Sequence, residues 1–126
     1  MLLVGTELNE AARLSDDASI DDDLPHPAPH ELALSDVLHA LSDPMRLRIV
    51  AALSAGEERT CKSFDLPVVK STCTHHFRVL REAGVIRQRL EGTTRLNTLR
   101  REDLDTRVPG LLDAVLSAAG TRSLSV

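Results

Sequence analysis

The densest set of hydrogen-bonding side chains in the sequence lies between residues 70 and 81. It comprises Lys70, Ser71, Thr72, Thr74, His75, Arg78 and Arg81. Hydroxyl and imidazole groups can bond to the edges of nucleobases, whereas ammonium and guanidinium groups bind phosphate oxygens. Cys73, Phe77 and Leu80 recur among these residues at helical spacing, which predicts an apolar face turned inward and a polar face turned outward. The chemistry open to such a face is the binding of a polyanion.

The distribution of charge along the chain supports a polyanionic partner. The 126 residues contain 15 Lys and Arg and 19 Asp and Glu, for a formal net charge of -4. Residues 1–30 hold one base and seven acids, a net of -6, whereas residues 59–101 hold ten bases and three acids, a net of +7. A basic middle behind an acidic N-terminal segment indicates a polyanion, most often nucleic acid, as the partner.

Composition argues against several other classes of protein. The sequence has no apolar run of about 18 residues, so we expect no membrane span. Met1–Leu14 has neither a basic leader nor a long apolar core, so we expect no secretory signal. Two cysteines cannot form a disulfide scaffold, which favours a reduced, cytoplasmic setting. With two Phe and no Trp or Tyr, binding of single strands by aromatic stacking is not expected.

Helices must position the residues between 70 and 81. A first helix is predicted from the i, i+3, i+4, i+7 spacing of Leu34, Val37, Leu38 and Leu41. Asp43 and Pro44 form a strong start signal for a second helix, which stops near Gly56. A short helical turn over Thr60–Phe64 follows. Gly84 is expected to end the helix of residues 70–83 in a left-handed conformation.

A hairpin and a last helix complete the predicted order of elements. Val85–Leu90 and Thr94–Leu99 are predicted strands joined across Glu91-Gly92. Apolar residues at helical spacing from Leu104 to Ala119 predict the last helix, in which Pro109 either begins a new helix or kinks one. The fold class is therefore mainly α with a small β-hairpin wing. A helix-turn-helix followed by a basic hairpin specifies a winged helix-turn-helix, whose second helix enters the DNA major groove.

We divide the chain into an extension, one domain and a short tail. Residues 1–30 form an acidic, largely disordered extension, because residues 15–30 combine an acidic run with three prolines. Residues 2–14 form either a short helix or an unstructured leader. Residues 31–120 form the winged helix-turn-helix and dimerisation domain, and residues 121–126 form a flexible tail.

Three segments resemble motifs of the ArsR/SmtB family of bacterial repressors. Residues 38–50, LHALSDPMRLRIV, resemble the family signature ALADPTRLRIL. Residues 70–86, KSTCTHHFRVLREAGVI, resemble its recognition helix, STVSHHLRVLREAGLV. Residues 89–95, RLEGTTR, are similar to its wing, RREGRxxxY. The resemblance spans roughly residues 31–119, with the motifs in the order and spacing of the family.

The resemblance implies a homodimeric repressor that binds a palindromic operator in double-stranded DNA and is released by an unidentified signal. Contacts to bases and backbone are expected at the front of the recognition helix, from Ser71, Thr72, Thr74 and His75. We expect phosphate contacts from Lys70 and Arg78 and wing contacts from Arg89, Thr93 and Arg95. His76 matches a position that the family usually fills with His, and a local bond is expected there. For Arg81, Arg87, Arg100 and Arg101 we expect solvated surface charges.

In this family the first and last helices form the dimer interface. The apolar stripes of the two corresponding helices suit that role, and their residues are Leu34, Val37, Leu38, Leu41, Leu104, Val108, Leu111 and Val115. For each of them, ordinary core is an equally good interpretation.

The sequence gives weaker evidence for a site that senses a signal than for DNA binding. Many relatives bind metal through a Cys-x-Cys pair or through Asp and His on the last helix, but here Cys61 stands alone and the last helix has no His. We therefore predict no metal site and no cofactor. Cys61 and Cys73 could form a redox-sensing disulfide if their Cα atoms lie within about 7 Å.

Two other functions compete with DNA-binding regulation. A winged helix can serve as a protein-interaction module instead, with the acidic segment contacting a basic partner or the chain's own basic face. An enzyme is disfavoured, since no nucleophile with an orienting acid, phosphate loop or metalloprotease motif is present.

Overall fold

The computed structural model describes residues 24–64 and 66–125, the last five by their backbone alone. A 3-10 turn, Pro29–Glu31, precedes α1 (Leu34–Ala40) and α2 (Pro44–Leu53). Strand β1 (Arg59–Thr60) and a second 3-10 turn, Cys61–Ser63, lead to α3 (Lys70–Glu82). The hairpin of β2 (Ile86–Glu91) and β3 (Thr94–Leu99) follows, and the chain continues through α4 (Arg101–Arg107) and α5 (Leu111–Ser125). The described residues therefore have the predicted winged helix-turn-helix order.

Local signals set the start of α2. The Asp43 carboxylate accepts hydrogen bonds from the backbone N–H groups of Met45, at 2.8 Å, and Arg46, at 3.2 Å. Pro44 occupies the first helical position, where a missing N–H costs nothing. The predicted cap of this helix is confirmed.

The end of α3 is fixed by Gly84, which has the expected positive φ, at 85°. That glycine also allows a close approach of the chain, because a Cβ atom there would overlap the side chain of Leu32 and would lie 3.2 Å from Cγ of Pro27. Gly84 therefore serves both the turn and the packing of residues 27–32 against it.

The three strands form an antiparallel sheet in the order β1-β3-β2. Glu91 pairs with Thr94, so the turn consists of Gly92 and Thr93, with Gly92 at a φ of 67°. Arg59 pairs with Asn97 and Thr60 with Leu96. Strand β1 was not predicted, because two residues are too short to show a period.

The core lies where the five helices α1 to α5 meet the inner face of the hairpin. Its fully buried side chains include Val37, Ile49, Val50, Leu53, Phe77, Leu80, Ile86, Leu104 and Leu112. Phe64 packs on Phe77 with ring centroids 5.4 Å apart, and the Arg59 guanidinium lies 4.4 Å from the Phe64 ring centroid. These contacts hold the turn before α3 against the helix.

The predicted last helix is interrupted. Residues 108–110 separate α4 from α5, because Pro109 cannot continue α4 and Gly110 has a φ of 83°. Helix α5 then continues through residues 121–125, which we expected to form a flexible tail.

Residues 24–30, which we assigned to a disordered extension, contact the sheet. Nε2 of His26 accepts the backbone N–H of Gln88, at 2.9 Å, and the carbonyl of Pro27 accepts from Nη1 of Arg100, at 2.8 Å. Packing thus begins before the predicted domain boundary at residue 31. The predicted alternatives for residues 2–14 lie outside the described residues.

Candidate nucleic-acid interface

Helix α3 separates its side chains into two faces, as its sequence pattern predicts. His76, Phe77 and Leu80 are buried. The exposed side chains are Glu82 at the end of the helix and the predicted contact residues Lys70, Ser71, Thr72, Thr74, His75 and Arg78. The helix therefore presents hydroxyl, imidazole and cationic groups together, which is the mixture that bonds to base edges and phosphates.

A buried polar seam fixes α3 against α1 and α2. Nε of Arg46 donates to the carbonyl of Ala40, at 2.7 Å, and Nη2 donates to the carbonyl of His39, at 3.3 Å. Nη1 of Arg46 lies 3.1 Å from Nδ1 of His76. A guanidinium only donates, so this contact is a hydrogen bond in the tautomer whose Nδ1 accepts. His76 thus makes the expected local bond, and it positions α3.

Sequence reasoning missed the role of Arg46. The side chain is 7% exposed, although Arg is among the residues least often buried. Its guanidinium donates to two carbonyls at the end of α1, where the last carbonyls of a helix need partners from outside it, and the carbonyl of His39 also accepts from Ser42. In the sequence, the position of Arg46 two residues after Pro44, in the first turn of α2, was the available indication of this role.

The wing carries Arg95, an exposed cation that could contact DNA, and Arg89, a cation that forms an ion pair with a carboxylate. Thr93 and Arg95 are exposed. Arg89, also predicted to contact DNA, is half-exposed and forms a two-pronged ion pair with Glu58, with Nε and Nη2 at 2.7 and 2.9 Å from the two carboxylate oxygens. The hydrogen bond from Arg89 lowers the pKa of Glu58. A DNA phosphate would have to compete with this carboxylate for Arg89.

A buried amide pair joins the wing to α3. Nε2 of Gln88 donates to Oδ1 of Asn97, at 2.7 Å, and Nδ2 of Asn97 donates to the carbonyl of Arg59, at 3.0 Å. Oε1 of Gln88 accepts from Nη1 of Arg81, at 2.9 Å. Gln88 occupies the inward position between Ile86 and Leu90, so the period-2 alternation of the strand was a signal for its burial.

The charge of Arg81 interacts with those of two other arginines, Arg78 on α3 and Arg95 on the wing. Burial lowers the pKa of Arg81, and the neighbouring charges of Arg95 and Arg78 lower it further, whereas Glu82 opposes them. Nε of Arg81 is buried without a hydrogen-bond partner among the described residues. The expectation of a solvated charge is therefore wrong for Arg81. It is also wrong for Arg100, which is buried.

Comparison with known proteins agrees with this geometry. A family described as "Helix-turn-helix domain" matches residues 41–89, which run from the end of α1 into β2. The "Uncharacterized HTH-type transcriptional regulator YceK" of Bacillus subtilis (strain 168) is 35% identical over 82 residues, which cover 63% of this chain and 82% of that protein. The chain belongs to the helix-turn-helix transcriptional regulators. A second such protein, MJ1325 of Methanocaldococcus jannaschii, is 36% identical over 61 residues, covering 47% of this regulator and 68% of that protein.

A solved structure shares the fold of this regulator. The crystal structure of an ArsR family transcriptional regulator superposes with a TM-score of 0.51 at 24% identity, covering 81% of this regulator and 99% of that chain. The resemblance of the sequence motifs to the ArsR/SmtB family is thereby confirmed at the level of the fold.

The residues predicted for a dimer interface fall into three groups in this regulator: buried, exposed and half-buried. Val37, Leu41 and Leu104 are buried within the subunit, so they have little surface left for a partner and the prediction is corrected for them. Leu34 and Leu38 are 52% and 45% exposed. Val108, Leu111 and Val115 are half-buried at the edge of the core.

Cys61 and Cys73, the predicted redox pair, are free, half-buried thiols. Sγ of Cys61 accepts a hydrogen bond from Nδ2 of Asn97, at 3.4 Å. Burial raises the pKa of the Cys73 thiol, and the charge of Cys61 raises it further. Cys73 is thus disfavoured as a thiolate.

Within residues 24–64 and 66–125, no three His, Cys, Asp or Glu side chains are grouped so that they could hold a metal ion. In the same part of the chain, no helix has the length and apolar character needed to cross a membrane.

Proposed function

We propose that this regulator is a homodimeric repressor that recognises a palindromic operator in double-stranded DNA. The observation that carries the proposal is the exposure of the polar face of α3 while its apolar face is held by the core and by the Arg46–His76 seam. Such a helix can enter a major groove without disturbing its own packing.

The proposed roles follow position and chemistry. The groups that read base edges and nearby backbone are Ser71, Thr72, Thr74 and His75, at the front of α3. Lys70 and Arg78 bind phosphates on either side of them, because they lie on the same exposed surface. Thr93 and Arg95 contact the backbone from the wing, and Arg89 joins them when it leaves Glu58.

Dimerisation would place two reading helices on one face of the duplex. The half-sites of a helix-turn-helix dimer lie about 34 Å apart, one turn of DNA. Leu34 and Leu38 stand four residues apart on α1, so they form one exposed apolar strip. We propose that this strip contacts the second subunit together with Val108, which precedes α5, and with Leu111 and Val115 on α5.

Fluorescence anisotropy with labelled DNA from upstream of the protein's own gene tests the proposal. Arg78→Ala should weaken binding and reduce the slope of log K against log salt by about one unit, because one phosphate contact is lost. Arg101→Ala is the matched control, since it removes the same charge from a residue paired with Asp113. If the unaltered protein fails to bind any duplex at low salt, the proposal is wrong.

Footprinting tests whether the operator is palindromic, and a reporter gene tests whether the protein is a repressor. A palindromic operator should give two protected half-sites on one face of the DNA, about one turn apart. Transcription from the same promoter should rise when the gene is deleted. A fall would make the protein an activator.

The release signal has one candidate in the sequence. In the alternative version of the proposal, oxidation joins Cys61 to Cys73 and distorts the turn before α3. The raised pKa of Cys73 weakens this version. Operator binding that is unchanged by peroxide, in the unaltered protein and in Cys61→Ser alike, would exclude it.

A further inference from the structure

The arginines between α3 and the wing form a cationic surface that few carboxylates oppose. We define the arginine cleft as Arg78, Arg81 and Arg95. Arg78 and Arg95 are exposed and make no hydrogen bond or ion pair within the described part of the chain. Arg81 has only a neutral partner for Nη1, the amide of Gln88, and its Nε is buried and unsatisfied. Among the described residues whose charges act on Arg81, only Glu82 is negative.

The first part of the described chain is anchored next to this cleft, through His26. Gln88, whose side chain accepts from Arg81, also donates its backbone N–H to Nε2 of His26. Two further contacts hold the following residues, since Nη1 of Arg100 donates to the carbonyl of Pro27 and Nε of Arg107 donates to the carbonyl of Leu32. One residue of β2 therefore contacts both the arginine cleft and the anchored end of the N-terminal segment.

The residues just before this anchor carry the opposite charge. Asp21, Asp22 and Asp23 lie three to five positions before His26, and Asp16 and Asp17 precede them. A chain extends by at most about 3.5 Å per residue, so these three carboxylates can reach roughly 10–18 Å from His26. Residues 1–23 hold one base and seven acids.

We infer that the acidic segment of residues 16–23 binds the arginine cleft in the free protein and competes there with the DNA backbone. The inference rests on the proposed DNA interface for the competition, but the contact itself needs no DNA. The segment offers carboxylates at high local concentration, so it is an autoinhibitory competitor that duplex DNA must displace. Displacement returns counterions to the freed carboxylates, which offsets part of the counterion release from DNA.

The contact is tested first without DNA, by NMR of the arginine Nε–H groups in the full chain. The variant Asp21→Asn, Asp22→Asn and Asp23→Asn removes three charges outside the described residues. We expect its Arg81 and Arg95 resonances to shift relative to the unaltered protein, and the difference to vanish in about 0.5 M salt, where the Debye length is only a few ångströms. Unchanged resonances at low salt would overturn the inference, whatever the protein does with DNA.

A charge-matched variant separates this contact from a general effect of net charge. Asp36→Asn, Glu57→Gln and Glu102→Gln also removes three carboxylates, from exposed positions on other elements. It should leave the Arg81 and Arg95 resonances in place. If both triple variants shift them equally, the segment has no specific site.

Competition is then measured by anisotropy with duplex DNA. The Asp21–Asp23 variant should bind roughly threefold more tightly, or better, at low salt, given the usual strength of exposed ion pairs. It should also show a steeper salt dependence, and the matched variant should show neither change. An unchanged affinity in a protein that does bind duplex overturns the autoinhibition and leaves the proposed function intact. Failure of all variants to bind duplex refutes the proposed function, and the NMR comparison then decides the contact alone.

Discussion

At the scale of single residues, Arg46 illustrates how a charged side chain can organise a small core. Its three nitrogens reach two carbonyls of α1 and the ring of His76 on α3. The carbonyl of Ala40 accepts from Arg46 at the end of the helix, and the carbonyl of His39 accepts from both Arg46 and Ser42. A residue that looks like one more surface cation in the sequence therefore sets the angle between the first three helices.

We expect Arg46→Met to destabilise the fold by about 2–4 kcal/mol, because two carbonyls and the His76 acceptor lose a charged donor that methionine cannot replace. Unfolding in urea gives the free energy directly. The control is Arg48→Met on the same helix, which removes a charge from an exposed position. Equal losses in the two variants would mean that the seam contributes nothing specific.

A second prediction concerns Gly84. Its positive φ and its close contact with Leu32 both disfavour a larger residue, and the two effects can be measured separately. Gly84→Ala should destabilise by more than about 1 kcal/mol, since the new Cβ would overlap Leu32 in addition to the strain of a positive φ. Gly110 has nearly the same φ, 83° against 85°, and nothing lies within 4 Å of its Cβ position. Gly110→Ala thus measures the strain alone. Thermal unfolding should show the larger loss for Gly84→Ala, and equal losses would contradict the proposed close packing of Leu32.

At the scale of the element, α3 begins without a side-chain cap. Val69 precedes the helix in an extended conformation, no side chain accepts from the first-turn N–H groups among the described residues, and Val69 is 67% exposed. Val69→Ser should stabilise the protein by roughly 0.5–2 kcal/mol, because the hydroxyl can accept one of those N–H groups.

The control for this substitution is Val69→Ala, which removes the branched side chain without supplying an acceptor. Urea unfolding of the two variants isolates the hydrogen bond. A serine variant no more stable than the alanine variant would mean that water already satisfies the front of α3.

The ion pair between Glu58 and Arg89 joins the segment before β1 to the wing, and it has a pH dependence. Arg89 lowers the pKa of Glu58, so the pair stabilises the fold above the ordinary carboxyl pKa. That contribution is lost as the pH falls through the lowered value. Both side chains are more than a third exposed. The effect of the ion pair on the free energy of unfolding is therefore small. Arg89→Gln should return the pKa of Glu58 towards its ordinary value.

Carboxyl NMR during an acid titration measures that change directly. Arg101→Gln, which alters a cation paired on another element, should leave the titration of Glu58 in place. A Glu58 titration that does not respond to Arg89→Gln would show that the two side chains are apart in solution and that Arg89 is available to DNA.

At the scale of the whole molecule, the exposed strip of Leu34 and Leu38 determines the expected assembly. If two subunits bury this strip, unfolding is coupled to dissociation, and the melting temperature rises with protein concentration. Leu34→Glu with Leu38→Glu should abolish that dependence and give a monomer in light scattering.

The matched control adds two glutamates elsewhere, with Ala51→Glu and Ala55→Glu at exposed positions. It should keep both the dimer and the concentration dependence. A melting temperature that does not vary with concentration in the unaltered protein would contradict the proposed homodimer.

The sequence by itself determined the elements with strong local signals. Asp43 and Pro44 fixed the start of α2, the helical period of Cys73, Phe77 and Leu80 divided α3 into two faces, and Gly84 ended it. Capping, periodicity and turn conformation depend on residues within one or two turns of each other, so they can be recognised before any packing is known.

Only the tertiary structure decided which side chains are engaged. It buried Val37 and left Leu34 exposed on one apolar stripe, engaged Arg89 with Glu58, and placed Arg81 in a cleft with Arg95. The Arg46–His76 bond spans 30 positions and the His26–Gln88 bond spans 62. Such contacts depend on how whole elements meet, because burial and distant partners, which no local pattern records, set the cost or gain of each polar group.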